Sequence, residues 1–328
     1  MKSTLEIPGL IIILSLISFI SCIKKPADPP VVTSIPVIEI SYKTALSGGD
    51  VTSHGGDYVT GRGICWDTSA NPKIGHGWTI EPGTLGTYES MLVELSPNTT
   101  YYVRAYANNA TGTGYGSEMS FTTKDYGSVA DVDGNIYKTA DIGSQVWMAE
   151  NLKTTKFQNG DLIGTTTPIT LDISDQITPK YQWDNYDGAE SNVQTYGKLY
   201  TWDAVTDNRG VCPAGWHIPT EVDLEELTTF LGGINEAGSK LKESGISHWI
   251  SPRILATNES GFSALPGSDR DIHGNFQLNG YNSKFWTSQE LDETNSLFWS
   301  LTGNNNAVAN ADTDKGNGLS VRCIKDNK

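Results

Sequence analysis

The residues best equipped for polar contact lie in one glycine-bounded loop, Gly267-Ser268-Asp269-Arg270-Asp271-Ile272-His273-Gly274-Asn275. Two carboxylates around a guanidinium can grip a hydroxylated or charged ligand. The same trio can equally form a buried network that pins a long loop, because charge-assisted bonds lock geometry in either setting. Aromatic rings are the second resource. Trp183, Tyr186, Tyr281, Trp286 and Trp299 are numerous enough for a platform on which sugar rings stack, although each tryptophan taken alone reads first as core. Asp269, Arg270, Asp271, Tyr281 and Trp299 are the candidate ligand-binding residues.

Signatures of catalysis are missing. His54, His76, His217, His248 and His273 stand outside any metal-ligand spacing, and no His-Glu-x-x-His, Gly-x-Ser-x-Gly or phosphate-cradling glycine loop occurs. Carboxylates that only folding brings together leave no spacing to read, so Glu259, Asp269 and Asp271 are the acids an enzyme of extracellular polymers would use. The expectation is nonetheless that the chain is not an enzyme. Asp131-Val132-Asp133-Gly134-Asn135 and Asp312-Thr313-Asp314-Lys315-Gly316-Asn317 offer oxygen ligands for calcium. The first lacks a Glu at the twelfth loop position and the second contains Lys315, so both read as turns; calcium stays open, and no metal site or cofactor is assigned. Cys65, beside Trp66, reads as a small buried residue. Cys212 and Cys323 are read as a disulfide that closes one domain, worth roughly 4 to 5 kcal/mol on the loop-entropy model.

A formal charge of −15 argues against nucleic acid as a partner, since phosphate binding needs clustered Lys and Arg. The N-terminus has Lys2, an apolar run over residues 7–20, and then Phe19-Ile20-Ser21-Cys22. It resembles a bacterial lipoprotein signal. The resemblance implies a leader over 1–21, a lipid on Cys22, and a protein exported to the outer membrane, on its periplasmic or its outer face. A secretory signal would equally place the chain where disulfides persist. The proline-rich stretch 22–36 reads as a tether.

Short alternating runs divided by turn residues fill 37–124, the pattern of a β-sandwich. The best strand is Tyr101-Tyr102-Val103-Arg104-Ala105-Tyr106-Ala107, with Tyr101, Val103, Ala105 and Ala107 on one face. This strand and its lead-in Leu95-Ser96-Pro97-Asn98, together with Gly61-Arg62-Gly63-Ile64-Cys65-Trp66, resemble a fibronectin type III module, which implies a spacer or adhesive unit.

Residues 125–328 form the second domain. Asp133-Gly134 between apolar runs predicts a hairpin, and 158–187 a long loop. Past Cys212-Pro213-Ala214-Gly215-Trp216-His217-Ile218-Pro219-Thr220 comes the clearest helix. Thr220 and Asp223 cap it, Leu224, Leu227, Phe230 and Leu231 share a face, and Gly232-Gly233 stops it. A second short helix is expected at 236–243.

Trp147-Met148-Ala149-Glu150-Asn151-Leu152, the Cys212–Thr220 stretch, Ser260-Gly261-Phe262-Ser263-Ala264-Leu265-Pro266-Gly267, Phe285-Trp286-Thr287-Ser288 and Ser320-Val321-Arg322-Cys323 resemble, in order, the Fibrobacter succinogenes major paralogous domain over residues 126–326. That family occurs in secreted and lipid-anchored proteins of Bacteroidetes and Fibrobacteres. Gly215 to Glu221 also resembles the formylglycine-generating enzymes, whose core is C-type lectin-like. The implied fold is a multidomain chain: an all-β fibronectin type III-like sandwich, then an α+β C-type lectin-like domain. The reactive cysteine pair of those enzymes and the Glu-Pro-Asn and Trp-Asn-Asp motifs of calcium-dependent lectins are absent, and fold does not carry activity across. The function expected is a non-catalytic binding or adhesion lipoprotein, held to the membrane by its lipid anchor, with an extracellular glycan or protein as ligand. A polymer-processing enzyme and a structural component of the envelope are the alternatives.

Overall fold

The computed structural model describes residues 26–184, 190–251, 256–277 and 280–327. The leader, Cys22 and Tyr186 lie outside these residues.

The first module is a sandwich. One sheet pairs Val31–Ile38 with Ala45–Ser53 and that with Gly86–Leu92; the other runs Gly77–Trp78, Gly61–Asp67, Thr100–Asn109, Gly112–Tyr115, with Met119–Thr122 also on Thr100–Asn109. Period-two alternation puts Tyr101, Val103, Ala105 and Ala107 between the sheets, all buried, against Ile64, Leu92 and Val32. The tether expected over 22–36 is too long: the first strand begins at Val31, because Val32 has a place in this core. Cys65 is wholly buried, and burial pushes its thiol up to about 11, which leaves it inert.

The second module is α+β. Its central antiparallel sheet has the order Trp216–His217, Ile324–Lys325, Gln145–Met148, Ile136–Ile142, Gly127–Ala130. The middle of the domain and its C-terminal end are neighbours in it, His217 opposite Ile324, and Cys212 is bonded to Cys323 across 111 positions. A meander of Asn282–Glu290, Asn295–Thr302 and Val308–Asp314 packs alongside.

The helix Glu221–Phe230 carries the full capping box: Thr220 Oγ1 accepts from the Asp223 amide, and the Asp223 carboxylate accepts from the Thr220 amide. Gly233, at φ +101°, sends its amide back to Thr228 O and ends the helix. Leu224, Leu227 and Leu231 are buried, whereas Phe230 is 62% exposed, so the apolar face is narrower than its spacing suggests. The following helix, Ala237–Leu241, is shorter than the 236–243 expected.

The modules are docked through one ring. Tyr42, from the turn after the first strand, is 2% exposed and belongs to the core of the second module. Its hydroxyl accepts from the Asp141 amide at 2.7 Å, and it stacks on Tyr126 with centroids 4.5 Å apart. Gly261, at φ +76°, faces the ring; a Cβ there would lie 2.4 Å from Tyr42 Cδ2.

Candidate functional site

The loop at 267–275 is a staple. Asp269–Arg270 pairs with Phe276–Gln277 as a short hairpin. Arg270 is wholly buried: Nε donates to Ile169 O at 3.0 Å, Nη1 to Asp271 O at 2.9 Å and Nη2 to Leu171 O at 2.5 Å, with the guanidinium 4.0 Å over Trp183. Asp269 pairs with Lys284 at 3.0 Å, and Asp271 accepts from the amide and side chain of Asn275. Trp299 is likewise wholly buried, stacked on Phe285 at 4.6 Å. Arg270 and Trp299 are therefore not ligand contacts, since each is enclosed by the core it supports. Trp183 and Trp286 are core as well. Tyr281 alone of the five candidates is exposed, and it lines a depression of about 150 Å³ with Asn282, Thr302, Gly303 and Asn304. The candidates do not converge.

Most of the carboxylates weighed for catalysis and calcium are held by a protein donor. Glu259 pairs with Lys240 at 2.9 Å. Asp131 accepts from the Asp133 and Asn135 amides and from Tyr137 Oη, while Asp133 accepts from the Thr155 amide and pairs with Lys156. In the later acidic turn Lys315 is buried, its ammonium bonded to Glu290 and to the carbonyls of Asp292 and Glu293.

A groove of about 400 Å³ opens beside the disulfide. Trp202, Val205, Val211, Cys212, Trp216 and Ile218 make its apolar bed; Gln158, Thr206, Asp207, His217, Thr220 and Ser288 stand around it. Each wall has a local cause. Trp202 opens the short helix Trp202–Val205 and is fixed by its indole N–H, which donates to Thr287 O at 2.9 Å. Trp216 is placed by its pairing with Lys325. Gln158 donates to Cys212 O at 2.7 Å, and Ser288 bonds the Pro219 carbonyl through its amide at 2.9 Å. His217 bridges two acids, Nδ1 2.7 Å from Asp326 and Nε2 3.4 Å from Asp223. Asp207 is held below the usual carboxylate range chiefly by Arg209, against desolvation, with help from Lys180. The bed offers two indoles, the rim offers donors and acceptors, and a single carboxylate, Asp207, lines the groove.

Sequence reading misses most of this groove. The stretch from Cys212 to Thr220 reads as structural punctuation, and the polar residues on its other face are the available signal. Trp202, Gln158 and Ser288 carry no local mark of a shared site.

A family model described as the Fibrobacter succinogenes major domain matches residues 140–325. No curated protein matches the chain. Among solved structures, the sensor domain of the anti-sigma factor RsgI4 of Pseudobacteroides cellulosolvens is 19% identical, with 30% of this chain and 99% of that one covered and a TM-score of 0.23. The third fibronectin III domain of the human KIAA0343 protein is 20% identical over 31% of this chain and 88% of that one, with a TM-score of 0.23. A human fibronectin III domain, the fourth of its protein, is 18% identical over 34% and 88%, with a TM-score of 0.25. With more than half its length inside the matched model, this chain belongs to the Fibrobacter succinogenes major domain family.

Proposed function

We propose that this is a cell-envelope lipoprotein, anchored to the outer membrane through Cys22, whose C-terminal domain is a lectin-like binding module for an extracellular glycan and performs no catalysis. The groove beside the disulfide carries the reading. Indole rings in an apolar bed suit the C–H face of a sugar ring, and the amide, hydroxyl and imidazole groups around it suit the ring's hydroxyls. An α+β domain rich in loops, with Cys212 bonded to Cys323 just before its last strand, supports the lectin-like scaffold. The sandwich supports the presenting role. Its eight-residue first strand spans about 26 Å at ~3.3 Å per residue, from the anchor side to Tyr42 at the docking point. No helix among the described residues is long and apolar enough to cross a membrane.

The test is a glycan array with the full mature chain, followed by titration with any hit. Ser288→Tyr fills the mouth of the groove from a half-buried position and should weaken binding at least tenfold with the melting temperature little changed. An array without hits, or neutral-glycan hits that are insensitive to S288Y, counts against the reading. Protease shaving of intact cells decides between the two faces of the membrane.

A further inference from the structure

A second cavity, about 330 Å³, lies where the sandwich meets the C-terminal domain, and it shares no lining residue with the groove beside the disulfide. Lys43 comes from the sandwich side; Tyr126, Lys138, Glu150, Glu243 and Arg322 come from the other. Arg322 is 1% exposed and aimed by four bonds: Nε to Asn151 Oδ1, Nη1 to the carbonyls of Met148 and Phe262, and Nη2 to Ser263 O. A guanidinium has five N–H donors, so one on Nη2 is left without a protein acceptor. Burial pushes its pKa down to about 9, and it stays charged at neutral pH.

Among the described residues neither Arg322, Lys43 nor Lys138 is in an ion pair. Two acids share the cavity: Glu150 accepts from the Lys138 amide at 2.7 Å and acts on Arg322 through space, and Glu243 pairs with His248 at 2.7 Å. The buried Tyr126 hydroxyl sits beside Ser263 but makes no hydrogen bond of ordinary geometry. In a chain with 38 acidic and 23 basic residues, three cations against two carboxylates in one cavity are a local reversal of the average field.

We propose that this interdomain cleft binds a carboxylated sugar residue, its carboxylate lodged between Lys43, Lys138, the remaining Arg322 N–H and the Tyr126 hydroxyl. A monoanion fits better than a phosphate dianion, because Glu150 and Glu243 remain in the same cavity and oppose a second negative charge. The proposal rests on the glycan reading for its ligand class and on a separate site for its geometry.

Calorimetric titration of the full mature chain with oligogalacturonate, its methyl ester and oligoglutamate tests it. Binding of the free acid, at least tenfold weaker for the ester and for oligoglutamate and falling with salt, is the expected result. Lys43→Glu, at a half-buried position, and Lys138→Glu, at an exposed one, should each cost tenfold or more, while Ser288→Tyr should cost nothing. No binding of the free acid, equal affinity for the ester, equal affinity for oligoglutamate, or K43E/K138E binding like the parent overturns the proposal. If neutral glycans still bind in an S288Y-sensitive way, the broader glycan reading survives that failure.

Discussion

Charged side chains in this molecule mostly hold loops in place, and Arg270 shows how: its fork ends on the carbonyls of Ile169, Leu171 and Asp271, which tie one loop to another about a hundred positions away. Asp207 works in the same way through Arg209 and Lys180, and its carboxyl is depressed by them. The sign of the consequence follows from linkage. The unfolded chain binds the proton more readily, so the stabilisation is complete above the unfolded value of about 4 and is lost as pH falls through the folded one. Melting temperature should therefore drop steeply below about pH 4. Asp207→Asn should be less stable at neutral pH and show a shallower acid limb in the same scan. Local sequence does not reveal this network, because most of it is assembled by folding: Lys180 meets Asp207 across 27 positions, and Arg209 reaches Asp161 across 48.

At the scale of elements, local chemistry was legible. The cap, the stop and the buried leucines of Glu221–Phe230 follow from neighbours within four residues, and the strand Thr100–Asn109 follows from alternation. Thr220→Ala should cost about 1 kcal/mol by denaturant unfolding, the usual worth of such a cap. A variant as stable as the parent would mean that tertiary packing alone holds the turn. Phe230 marks where periodicity fails: it belongs to the predicted apolar face, yet the sheet beneath ends before it, at Ile142 and Gly143, and leaves the ring at the surface. The groove was illegible for a related reason. Residues 158, 202–212, 216–220 and 288 meet only because the disulfide and the central sheet gather four separate segments of the chain.

The whole molecule is two modules locked by Tyr42, and in the second a disulfide ties the middle of the domain to its C-terminal end. Tyr42→Ala should cost about 3 to 5 kcal/mol, as for other large buried rings, and should separate the unfolding of the modules into two transitions. Tyr42→Phe, which loses only the bond from the Asp141 amide, should cost about 1 kcal/mol and leave them coupled. Differential scanning calorimetry reads both outcomes. Replacing Cys212 and Cys323 by alanine should remove about 4 to 5 kcal/mol, the loop-closure term for a separation of 111 residues, with the central sheet most affected.

The order of residues alone determined the two-module plan, the strand faces, the helix with its caps and the paired cysteines, because each rests on a periodicity, a turn chemistry or a motif that short windows carry. Only the tertiary structure decided that Arg270 and Trp299 are interior, that the sandwich starts at Val31, and that Tyr42 plugs the neighbouring core. Burial and convergence are properties of surfaces brought together from distant positions, and no single stretch of chain contains them.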